Sequence, residues 1–138
     1  MGLLSRAGYQ SSRLADHRAL VVGGSGGIGR AVTYALAAQG AEVICHGGHD
    51  LTRLDRVVGY IRDHGGNARA LFTPLRRASD IVSVVDAIGR IDILVVAMGP
   101  ITYGSLAITS PEEWTRIVEL NLTLPGILVS TYLPAMVR

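Results

Sequence analysis

Lysine is missing altogether. All 13 basic residues of the 138 are arginine, set against 11 acids for a formal net charge of +2. Chemistry that uses a lysine amine within this chain is excluded. Cysteine is reduced to Cys45 alone, which excludes an internal disulfide and a thiolate-only metal site. A small buried strand residue is the expected role for it. Aromatics make up only 5%, and the arginines are scattered from Arg6 to Arg138 without interleaving them, so nucleic acid is not an expected partner. The four histidines show no ligand spacing with a carboxylate or thiolate, so no metal is expected. Residues 1–10 lack an apolar run of signal-peptide length. The longer apolar stretches are strand-sized or belong to a helix interrupted by polar residues, so no membrane span is expected, and a cytoplasmic location is the default.

What the chain does have is apolar material, 49% against 17% charged, enough to core one domain of this length. Residues 1–17 read as a polar leader, and 18–138 as the domain. Ala19–Val22 is an apolar run ending in glycines, as a buried parallel strand would be. Ile28, Ala31, Val32, Ala35 and Leu36 then fall on one helical face, with Gly40 as the expected cap. Glu42–His46 predicts a second strand. Asp50 caps the next helix, whose apolar face is Leu54, Val57, Val58 and Ile61 and which Gly65 and Gly66 stop. Ala68–Thr73 predicts a third strand, Ile81–Ile88 a helix closed by Gly89, and Ile91–Ala97 a fourth strand. Ser110, Pro111 and Glu113 form a capping-box pattern opening a last helix, in which Pro125 should force a kink or an irregular turn. Alternation of this kind predicts an α/β fold of three layers, a Rossmann-like half with a parallel sheet in the order 3-2-1-4.

The strongest chemical signal follows the first strand. Val22-Gly23-Gly24-Ser25-Gly26-Gly27-Ile28-Gly29 places five glycines in seven positions at a strand-to-helix junction. A helix N-terminus carries unpaired N–H groups and partial positive charge, and a diphosphate can reach them only where no Cβ intervenes. Gly23 would permit the tight turn, Gly27 the close approach, and Gly29 the packing of helix on strand. No acid follows the second strand before Asp50, the place from which a ribose 2′-hydroxyl is commonly read. His46, His49 and Arg53 are the nearby cationic candidates for a 2′-phosphate.

The spacing Gly23-x-x-x-Gly27-x-Gly29, the strand Ile91-Asp92-Ile93-Leu94-Val95, Trp114 followed by Asn121-Leu122, and Leu133-Pro134-Ala135-Met136 together resemble the short-chain dehydrogenase/reductase family along residues 18–138. The resemblance implies a nicotinamide dinucleotide as ligand, held by the glycine turn, the ends of strands two and three, and the glycine after strand four; the missing acid after strand two leans toward NADP over NAD. On this sequence those positions include Gly23, Ser25, Gly26, Gly27, Ile28, Gly29, His46, Gly48 and Gly99. Asn121 falls on the family's active-site Asn. Several positions depart from the family pattern. Val22 stands where a Thr is usual, Pro74 where an Asp contacts adenine, and Val96-Ala97-Met98-Gly99 where Asn-Asn-Ala-Gly is usual. The family's catalytic Ser and Tyr-x-x-x-Lys have no counterpart here, so a chain of this kind is expected to be a truncated oxidoreductase unit, inactive alone. The alternative is a non-enzymatic dimerisation or regulatory module with a vestigial nucleotide site. In either case the apolar last helix and the strand-four edge are expected to drive self-association.

Overall fold

The computed structural model describes residues 13–138. Most of the expected leader, residues 1–12, lies outside the described residues. The rest of it, Arg13–His17, belongs to the fold: Leu14 donates its N–H to the Gln39 carbonyl at 2.9 Å and packs on the core. Four strands, β1 (Arg18–Val22), β2 (Glu42–Gly47), β3 (Asn67–Phe72) and β4 (Ile93–Val96), alternate with helices α1 (Gly27–Ala38), α2 (Leu51–Asp63) and α3 (Ile81–Ile88). A long helical run follows, consisting of α4 (Pro111–Val118), a π-helical segment (Glu119–Thr123) and α5 (Leu124–Met136). The sheet is parallel and ordered β3-β2-β1-β4, as the alternation predicted.

The period of two along the strands builds the layers. Ala19 and Val21 of β1, with Val43 and Cys45 of β2, face one side and meet Ala37, Leu54, Val57, Val58 and Ile61 of α1 and α2. Leu20, Val22 and Ile44 face the other and meet Ile81, Val84 and Ile88 of α3 with Leu120, Leu124, Leu128 and Tyr132 of the last helix. The stops act as expected. Gly40 has φ +92°, with N–H bonds from Gly40 to the Ala37 carbonyl and from Ala41 to the Leu36 carbonyl, a Schellman pair. Asp50 accepts the Arg53 N–H at 2.9 Å.

Three details differ from the sequence reading. β4 is shorter than Ile91–Ala97, because it pairs only along β1, from Ala19 opposite Ile93 to Val22 opposite Val96. Ser110 caps α4, but Glu113 does not complete a capping box: its carboxylate is taken by the Arg116 guanidinium at 2.7 and 2.9 Å and by the Thr102 hydroxyl. These bonds hold the Glu113 carboxyl down at about 2. The expected irregularity at Pro125 is the π segment just before it. Pro125 has no N–H to offer the preceding turn, and the Asn121 side chain itself bonds the Ile117 carbonyl at 3.0 Å.

The run Pro111–Met136 is, by length and mean hydropathy of 1.2, apolar enough to cross a membrane. One face of it is buried against the sheet, with Leu120, Leu124, Leu128 and Tyr132, while Trp114, Leu122, Val129 and Leu133 leave apolar surface exposed on the others. Among the described residues, β4 has β1 as its sole neighbour in the sheet and its other edge is open.

Candidate functional site

A cavity of about 590 Å³ opens at the carboxyl ends of the strands, where β1 parts from β4. In an open α/β sheet this is the position at which ligands bind. Its floor comes from the glycine turn after β1, with Gly23, Ser25 and Gly26. One wall is the exit of β2, from His46 to Asp50. The opposite wall is Ala97 to Pro100 after β4, and Leu75, Arg76, Arg116 and Leu120 close the far side.

The glycines of the turn divide into two kinds. Gly23 adopts φ +81°, and a Cβ there would lie 2.9 Å from Met98 and from the Ala97 carbonyl. A Cβ on Gly24 would lie 2.7 Å from Cys45 Sγ and 2.9 Å from Thr33 Oγ1. A Cβ on Gly29 would overlap the Gly23 carbonyl. The fold itself forbids side chains at these three. Gly27 is different: a Cβ there meets nothing within 4 Å, so no neighbour in the protein requires a glycine. It stands at the mouth of α1, where the first intrahelical bond runs from the Arg30 N–H to the Gly26 carbonyl at 2.8 Å. The N–H groups of Gly27, Ile28 and Gly29 therefore have no intrahelical acceptor, and the cap residue, Gly26, has no side chain to cover them. Donors and space for a diphosphate are both present at this turn, and an anion there meets the positive end of the helix.

His46 knits the walls together. It is 2% exposed. Its Nδ1 accepts the Gly23 N–H at 3.4 Å, and its Nε2–H donates to the Thr73 carbonyl at 2.8 Å. Burial pushes its pKa down; the Thr73 carbonyl pulls the other way, and the charge of nearby His49 lowers it further. A ring committed in this way is neutral and anchors the glycine turn to the exits of β2 and β3. As a cation for a 2′-phosphate, the role its position in the sequence suggested, it is out of place. Beneath the turn, Thr33 and Cys45 are fully buried, and burial pushes the Cys45 thiol up to about 11, so it remains an unreactive packing group.

Of the residues singled out from the sequence, Gly23, Ser25, Gly26, His46, Gly48 and Gly99 line the cavity, as do His49 and Arg53. Gly27 and Ile28 are exposed at the helix mouth, and Gly29 is buried behind Gly23. Asn121 stands behind the β4 wall. Its Nδ2 donates to the Pro100 carbonyl at 3.1 Å, and its Oδ1 occupies the space a Cβ on Gly99 would need. A side chain at Gly99 would therefore require the Asn121 side chain to move. Sequence reasoning missed Arg76 and Arg116. The one signal for Arg76 was its place just beyond the carboxyl end of a strand. Arg116 offered none, because only tertiary packing brings α4 to the cavity.

A family profile described as short chain dehydrogenase matches residues 17–138. A short chain dehydrogenase of Pseudocercospora fijiensis is 38% identical over 133 residues, covering 91% of this chain and 42% of that protein. A metagenomic short-chain oxidoreductase solved in complex with NADP superimposes with a TM-score of 0.81 at 33% identity, covering 91% of this chain and 58% of that one. A 3-oxoacyl (acyl-carrier-protein) reductase of Agrobacterium tumefaciens, solved with NADP bound, gives a TM-score of 0.81 at 29% identity, over 99% of this chain and 54% of the other. The chain spans less than half the length of the curated relative and a little over half of the two solved structures.

Proposed function

Because this chain belongs to the short chain dehydrogenase family, we propose that its cavity binds a nicotinamide dinucleotide, NADP in preference to NAD, and that it serves as the nucleotide-binding part of an oxidoreductase. The observation that carries this reading is the bare mouth of α1: donor N–H groups at Gly27, Ile28 and Gly29, with open space where a Gly27 side chain would stand. Ser25 and Gly26 lie beside the diphosphate, and Gly23 and Gly29 hold the turn that presents it. His46 keeps that turn in place, and Gly48 and Gly99 shape the two walls. Leu75 and Leu120 give an apolar surface for the base. The preference for NADP rests on the walls as well as on the NADP-bound neighbours. Among the described residues, the only carboxylate lining the cavity is Asp50, which is spent on capping α2, and three arginines line it.

Bound there, a reduced dinucleotide supplies a hydride. The chain's own residues bind and orient it. The tyrosine–lysine pair through which the family handles the accompanying proton is one this lysine-free chain cannot form. Asn121 contributes position, holding Pro100 and through it the wall at Gly99. The same reading gives a cytoplasmic protein that self-associates through the exposed face of α4–α5 and the open edge of β4. Trp114 is 54% exposed and Leu122 70%, and burying such surface contributes about 25 cal/mol per Å².

Titration with NADPH and NADH, followed by nucleotide fluorescence, tests the proposal. NADPH should bind more tightly than NADH, and absence of binding by either at millimolar concentration overturns it. Light scattering tests association, and a monomer at every concentration contradicts that part.

A further inference from the structure

The position immediately after β2 cannot carry a side chain. A Cβ on Gly48 would lie 2.7 Å from the Thr73 carbonyl oxygen and 2.9 Å from Pro74 Cα. The exit of β3 is laid across the exit of β2 and sewn there by two bonds. The Thr73 N–H donates to the Gly47 carbonyl at 3.0 Å, and His46 Nε2–H donates to the Thr73 carbonyl at 2.8 Å. This crossing removes one place for a cation at the cavity mouth and supplies another. The crossing strand leads directly through Pro74 and Leu75 to Arg76, which lines the cavity.

The three arginines of the cavity differ in their commitments. Arg116 is bound to both oxygens of Glu113. Arg53 lies 3.7 Å from an oxygen of Asp50, the carboxylate that also caps its helix. Arg76 makes no side-chain hydrogen bond or ion pair among the described residues. Its backbone N–H is fastened to Asp80 Oδ2 at 2.8 Å. That bond is the first cause of a lowered Asp80 pKa, to which the charges of Arg77 and Arg76 also contribute. The peptide is therefore anchored while the guanidinium is left available. Its planar fork matches a phosphate dianion.

We propose that Arg76 is the residue that sets nucleotide choice in this cavity, its guanidinium taking the phosphate monoester that NADP carries and NAD lacks. The inference rests on the dinucleotide reading above. It places the discriminating charge on the β3 exit rather than at the position directly after β2, where Gly48 leaves no room for a side chain.

The test compares NADPH and NADH affinities of the wild-type chain with those of Arg76→Ala, Arg76→Lys and Arg77→Ala, each first checked for an unchanged thermal midpoint. Arg76→Ala should weaken NADPH about ten- to a hundredfold, the range for a hydrogen bond to a charged group, and leave NADH unchanged. Arg76→Lys, which keeps the charge but loses the fork, should fall between. Arg77 pairs with Asp80 instead, and its replacement should leave both affinities alone. Equal weakening of the two nucleotides, or no weakening of NADPH, overturns the assignment of Arg76 while leaving the dinucleotide site standing. Failure of the wild-type chain to bind either nucleotide removes the site, and the assignment with it.

Discussion

The corner formed by β1, α1 and β2 and the side formed by β4, α4 and α5 belong to one domain but are finished to different degrees. At the corner, three glycines are required by contacts within the protein, a buried histidine has both ring nitrogens satisfied, and the buried hydroxyl of Thr33 donates to the Gly24 carbonyl at 3.4 Å. On the other side, the Tyr132 hydroxyl is buried with no partner among the described residues. Trp114, Leu122 and Leu133 reach solvent, and β4 has an open edge among the described residues. The corner is complete in itself. The β4 side leaves apolar surface exposed.

The largest effect expected from breaking this contrast is at Gly29. Its Cβ would overlap backbone, which cannot rotate away as a side-chain tip can. Gly29→Ala should cost about 3 kcal/mol or more, read as a lowered urea midpoint, whereas Gly59→Ala, with open space around its Cβ, should cost nothing or stabilise.

The next effect is pH dependence at His46. Its folded pKa lies below the ordinary value, so the unfolded chain binds the proton more readily. Its contribution to stability is full above about pH 6.5, where the unfolded histidine is neutral. It is lost as pH falls from there to the lower folded value. Urea midpoints measured from pH 8 to pH 5 should show this loss, with a slope of at most about 1.4 kcal/mol per pH unit. His46→Asn should flatten it.

The smallest effect lies on the unfinished side. Tyr132→Phe removes a buried hydroxyl that has no partner, and should leave stability unchanged or raise it by about 1 kcal/mol. A loss of stability from that change would show that the hydroxyl is satisfied after all.

Much of the corner was legible in the sequence because its determinants are local. The glycine run, the Asp50 cap and the Gly40 stop each act within a few residues, and the alternation of strand and helix dictated the order β3-β2-β1-β4. What escaped was whatever depends on distant segments meeting. His46 reads as a surface cation until β3 brings the Thr73 carbonyl to its ring. Arg76 is one of the scattered arginines until the exit of β3, packed against Gly48, carries it to the cavity. Glu113 has the spacing of a capping box, yet Arg116, three residues on, and Thr102, eleven residues back, claim its carboxylate. Local spacing cannot rank such competitors.

Gly27 is the exception within the finished corner, the glycine of the turn that the protein does not need for itself, and it offers the most direct measurement. Gly27→Val should leave the urea midpoint within about 0.5 kcal/mol of wild type, the usual range for a surface change, and abolish NADPH binding in the same preparation. A valine variant that folds and still binds NADPH like the wild type would contradict the claim that the mouth of α1 holds the diphosphate.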